Sequence, residues 1–151
     1  MNNPSVLYKI AAVLWIVWGL VHVLAGVMTM SGPLTGDISA AVAGIADVVE
    51  PETLRMAYPP AAGAIIGQHG FNLFWIGWVT FICAFYIWGA NRSAVYLAAL
   101  VGGLADLGYF IFLDLGGFVH FVPGTLMTIF SASAIVLSFY ASMKTAKAGY
   151  N

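Results

Sequence analysis

Four stretches of this chain, each about twenty residues long, are almost free of charge, and this narrows the possible folds more than any other feature. They run over 6–28, 67–89, 93–113 and 123–143. A bilayer core about 30 Å thick is crossed by about 20 apolar residues in a helix rising 1.5 Å per residue, so each stretch is long enough to span. Backbone N–H and C=O groups find no water in hydrocarbon, which restricts spanning structures to helices and closed barrels. The runs show no two-residue alternation that would signal a barrel strand. The expectation is an all-α integral membrane protein, a four-transmembrane-helix bundle forming a single domain over 1–151.

Composition agrees. Hydrophobic residues make up 62% of the chain and charged residues 7%, against about 25% charged in soluble domains. A net charge of −1 argues against nucleic acid and against electrostatic docking to anionic lipid, leaving the bilayer as the expected partner. The single cysteine, Cys83, excludes a disulfide scaffold and dithiol redox chemistry. The first apolar run exceeds a signal-peptide core and holds Trp15, Trp18 and His22, so it reads as a retained helix.

Loop charge sets the expected orientation. Lys9, Arg92, Lys144 and Lys147 fall on one side of four crossings, and Arg55 falls on the other. By the positive-inside rule the N and C termini and the Asn91–Arg92 turn are cytoplasmic, as in a multi-pass protein of a bacterial inner membrane. Tyr8, Tyr86, Trp88, Tyr96 and Tyr140 are placed for an aromatic belt at that interface. The acidic residues Asp37, Asp47, Glu50, Glu52, Asp106 and Asp114 lie toward the opposite side. The long outer loop, 29–58, is expected to hold a short amphipathic helical segment, capped by Asp37, running to Glu50 and ended by Pro51. Its apolar face would be Ile38, Val42, Ile45, Val48 and Val49. Pro123 suits a first helical turn and biases Val122 away from helix.

Polar side chains within spans are costly and point to function. Counted at 1.5 Å per residue from the cytoplasmic boundary, His22 lies roughly 21 Å deep, Asp106 roughly 18 Å and Asn72 roughly 24 Å. Gln68 and His69 stand a turn above Asn72, and Asp114 and His120 lie at the outer rim. The three histidines and both membrane-associated aspartates therefore gather toward one mouth. The other half offers nothing stronger than Thr80, Cys83 and serines. Trp15, Trp18, Gly19, His22, Ala25 and Gly26 share a helical face, as do Gly102, Gly103, Asp106, Tyr109 and Phe110; Gly63-x-x-x-Gly67 is a further small-residue pair. These faces would meet around a pocket in the outer half.

Asp106 and His22 are the candidate catalytic pair, as acid and base. His22, His69, His120 and Asp106 are the candidate metal ligands for zinc, iron or copper; two histidines could instead ligate haem, with Gly19 and Gly26 making room for the ring. No H-x-x-x-H or E-x-x-H pair on one helix supports the metal set. Gln68, Asn72 and Asp114 are candidate ligand-binding residues. The structural alternatives are a neutral Asp106 bonded to a tyrosine or backbone group, helix–helix contacts for His22, Gln68 and Asn72, and a turn or cap role for Asp114. The leading expectation is a His/Asp-lined pocket that binds a metal, haem or a small lipophilic ligand. The rivals are an accessory subunit of a larger membrane complex and a proton-coupled carrier acting as an oligomer.

Overall fold

The computed structural model describes residues 4–44 and 48–148, and the described residues are helical almost throughout. Helix α1 spans Pro4–Thr35, α2 Ile38–Gly44 and α3 Pro60–Trp88, with a 3-10 turn at Pro51–Leu54 between the last two. The third crossing begins as α4, Arg92–Ala98, passes through a π turn at Ala99–Gly103, continues as α5, Leu104–Tyr109, and ends in a second π turn, Phe110–Asp114. The fourth opens with a π turn, Phe121–Thr125, and continues as α6, Leu126–Ala148. Four helices are thus long and apolar enough to cross a membrane: Ser5–Thr35, Pro60–Trp88, Arg92–Asp114 and Phe121–Ala146. Large apolar side chains such as Leu24, Ile65, Leu104 and Val136 are exposed along them, as lipid-facing positions of a multi-pass membrane protein must be.

α1 runs well past Met28. The hydroxyl of Ser31 donates to Met28 O and that of Thr35 to Ser31 O, so the polar residues that suggest a loop satisfy helix carbonyls instead. The helix stops at Gly36, whose φ of +84° only glycine adopts without strain. Asp37 N–H then bonds Gly32 O at 2.9 Å, the six-to-one closure of a Schellman end. Asp37 also starts the next helix, Oδ1 accepting Ala40 N–H at 3.0 Å, as expected of an N-cap.

α2 is shorter than the expected helix to Glu50. Ile45 and Asp47 lie outside the described residues, and Val48 leaves the helical path to form an antiparallel bridge with Val119. Val49 N–H donates to Phe118 O at 3.0 Å, tying this loop to the connection between the third and fourth crossings. The buried residues of α2 are Ala41 and Ala43, and Ile38 sits over Gly63.

The principal helix pair is α1 and α3, which run antiparallel with glycines at their contacts. A Cβ added at Gly19 would stand 2.8 Å from Gly77 O, and one at Gly26 2.5 Å from Phe74 N and 2.6 Å from Gly70 O. Gly19 and Gly26 are seven apart, as are Gly63, Gly70, Gly77 and Ala84. A seven-residue small-residue repeat keeps one seam facing its partner along the whole crossing. Gly67, of the expected Gly63–Gly67 pair, faces the ring of Pro33.

The first turns of α1 and the last turns of α6 meet at one end of the bundle, where Tyr8 Oη and Ser142 Oγ are 2.9 Å apart. Tyr8 is therefore core, not belt; Tyr86, Trp88, Tyr96 and Tyr140 are exposed. Lys9 Nζ lies over the Trp88 ring and Lys144 Nζ over that of Tyr140. Leu7, Ala11, Trp15, Ile87, Val95 and Ala141 fill the interior between them and the middle of the bundle.

Candidate functional site

Toward the opposite end the helices enclose a cavity of about 1020 Å³, lined mainly by apolar side chains from α1, α3 and the third and fourth crossings, with part of α2 at its rim. Its polar floor is built from α1 and α5. Trp18 indole N–H donates to Asp106 Oδ2 at 2.7 Å, and the Ser131 side chain of α6 is a second hydrogen-bond partner of this carboxyl. Asp106 is only 5% exposed. Its position follows from the local backbone: α5 begins directly after the π turn Ala99–Gly103, which adds a residue and rotates the side chains beyond it. Gly102 admits the Trp15 ring, since a Cβ there would stand 2.6 Å from Trp15 Cζ3.

One turn above Trp18, the His22 ring stacks on its indole at 3.6 Å between centroids and 18° between planes. His22 Nδ1 is 2.8 Å from Trp18 O. A carbonyl oxygen can only accept, so Nδ1 carries a proton, and in the neutral ring Nε2 presents a lone pair. Nε2 and Asp106 Oδ1 are 3.9 Å apart, beyond hydrogen-bond distance and close enough for one atom to bridge.

His22, His69, Asn72, Asp106 and Tyr109 all contribute to the cavity wall. Asn72 Oδ1 also accepts Trp75 Nε1–H at 3.2 Å, along its own helix. His120 and Gln68 are exposed and do not line the cavity. Asp114 is also outside the lining: Oδ1 accepts from the Thr125 hydroxyl at 2.6 Å and Oδ2 from that of Thr128 at 3.0 Å. Its side chain thus ties the end of the third crossing to the start of the fourth through two hydroxyls, while its backbone carbonyl accepts Gly117 N–H at 3.0 Å in the turn that follows. Val122, at φ −118° and ψ 125°, is non-helical, as the following proline requires.

The metal set does not assemble. Among the described residues no three His, Cys, Asp or Glu side chains are grouped closely enough to hold a metal ion: His120 is exposed and outside the cavity lining, and His69, though it lines the cavity, does not close a group with His22 and Asp106. The haem arrangement fails at Gly19 and Gly26, which leave no room for a ring because the α3 backbone already packs on them. Spacing places Trp18 on the face of His22 but marks neither it nor Ser131 as a site residue. A tryptophan four positions before a histidine on an apolar helix is a weak signal, and its bond to Asp106 spans 88 positions of sequence.

Compared with family models, curated proteins and solved structures, the chain matches none.

Proposed function

We propose that this chain is a membrane-embedded binding protein for a small lipophilic ligand, held in the cavity above His22 and Asp106. The observation that carries this reading is the cavity itself: about 1020 Å³ with apolar walls and a polar floor. Sites for small molecules occupy about 300–1,000 Å³ and combine apolar lining with a few placed polar groups. The mouth would face away from the cytoplasm, because Lys9, Arg92, Lys144 and Lys147 occur at the other end of the crossings and cationic loops stay inside. A bacterial inner membrane suits that orientation.

Native mass spectrometry of the purified chain, incubated with a total membrane lipid extract and released from detergent, tests the reading. One small-molecule adduct per chain is expected, and it should be lost in Ala25→Phe, which fills the cavity. A wild-type chain that carries no adduct overturns it.

One observation favours an accessory-subunit reading: Asp106 bonds both Trp18 and Ser131, so the polar group joins three crossings. On that reading Asp106→Asn would abolish co-purification of a larger complex, whereas a ligand-binding chain would purify alone in either form.

A further inference from the structure

The floor of the cavity also carries information about the head of the ligand. With Nδ1 committed to Trp18 O, the neutral His22 ring offers only an acceptor, Nε2, to the space in front of Asp106. Asp106 Oδ1 faces the same space 3.9 Å away, and an ionised carboxylate also only accepts. Two acceptors confronting one gap repel unless a group with at least two N–H or O–H donors sits between them. An atom about 2.8 Å from both would subtend an angle of about 90° between atoms 3.9 Å apart, within the range that a tetrahedral donor tolerates.

The carboxyl also lacks a cationic partner. Among the described residues Arg55 pairs with Glu52, no lysine or arginine pairs with Asp106, and the neutral His22 ring 3.9 Å away carries no charge to it. A carboxyl in a low-dielectric interior with no cation beside it holds its proton, and a basic ligand that takes that proton leaves a carboxylate paired with the cation so formed.

We infer that the ligand is a lipophilic primary or secondary amine, bound as the ammonium, with N–H groups donating to His22 Nε2 and Asp106 Oδ1 and its hydrocarbon part along the apolar walls. The inference rests on the binding reading above. A hydroxyl supplies one donor and no charge. A quaternary ammonium supplies charge and no donor. Of these three head groups the protonated amine with two or more N–H groups alone meets both demands of the floor, and its bonds there are charge-assisted.

Three probes of nearly one shape separate these terms: 4-phenylbutylamine, its N,N,N-trimethyl derivative and 4-phenyl-1-butanol, each titrated calorimetrically into the full chain in lipid nanodiscs. The amine is expected to bind at least tenfold more tightly than either of the others. Asp106→Asn should reduce its advantage over the alcohol to less than threefold. If this variant does not fold, the wild-type ranking alone decides. Equal binding of the amine and the trimethyl compound, or tighter binding of the alcohol, overturns the amine inference and leaves the pocket reading intact. No binding of any probe, together with no adduct in the mass-spectrometric experiment, removes both.

Discussion

At the scale of single residues, the contact that organises the site is the indole N–H of Trp18 on Asp106 Oδ2. Removing the donor while keeping an aromatic ring, as in Trp18→Phe, leaves a buried carboxyl short of a partner. A loss of about 1–2 kcal/mol is expected, read as a lower unfolding midpoint in detergent. Asn72→Leu removes only a bond along one helix and should cost less than half as much. Equal costs would mean that the Trp18 bond is not special. Sequence alone singled out Asp106 and His22, because ionisable groups deep in a span are rare and visible. It set His22 deep in a span and His120 at the outer rim, but it could not tell which of the three histidines turns toward the cavity, as His22 and His69 do and His120 does not. All three precede or sit within apolar runs, and side-chain direction is set by packing that no spacing records. Spacing puts Trp18 on the face of His22, but tryptophan is common in such helices and its donor acquires meaning only once α5 is placed opposite.

The elements were legible to different degrees. Hydropathy found all four crossings because hydrocarbon admits few alternatives, yet it ended the first at Met28. The hydroxyls of Ser31 and Thr35 look like loop residues until their bonds to helix carbonyls are seen. The seven-residue glycine series is present in the letters, but Gly63-x-x-x-Gly67 matches the familiar four-residue small-residue spacing, while Gly70 and Gly77 gain meaning only opposite Gly26 and Gly19. This seam makes a paired prediction. Gly26→Ala places a methyl group against Phe74 N and Gly70 O, and backbone cannot swing aside, so destabilisation of about 2–3 kcal/mol is expected. Gly108→Ala meets nothing within 4 Å and gains helix propensity, so its unfolding midpoint should stay level or rise, by up to about 1 kcal/mol. Comparing the two variants by chemical denaturation in one detergent checks this. Similar losses for both would show that helix contact at Gly26 is not the limiting factor.

For the whole molecule, the two ends differ in kind: one packed solid around Trp15 and Ile87, the other hollow. The proposed orientation of the hollow end is open to a direct test. Cys83 is 4% exposed, a silent background for introduced cysteines. Thr53→Cys, in the loop at the mouth, should react with a membrane-impermeant maleimide in intact cells. Ser93→Cys, at the start of the third crossing, should react only after permeabilisation. The reverse pattern would turn the molecule over.

The unequal length of the helices has a consequence for the cavity. α1 has 32 residues and is about 48 Å long, whereas the third crossing, with 23, is about 34 Å. Both begin at the same end, so the mouth is stepped: a high wall of α1 and α3 faces a low wall at Phe112 and Pro123, cavity-lining residues that are themselves exposed. The high wall overtops a hydrocarbon layer of about 30 Å while the low one ends near its surface. In the proposed orientation the bilayer would complete the enclosure on the low side, and its surface would be the sill over which a ligand enters. Acyl-chain length would then set the height of that sill, and the host membrane would act as an adjustable fifth wall of the proposed site.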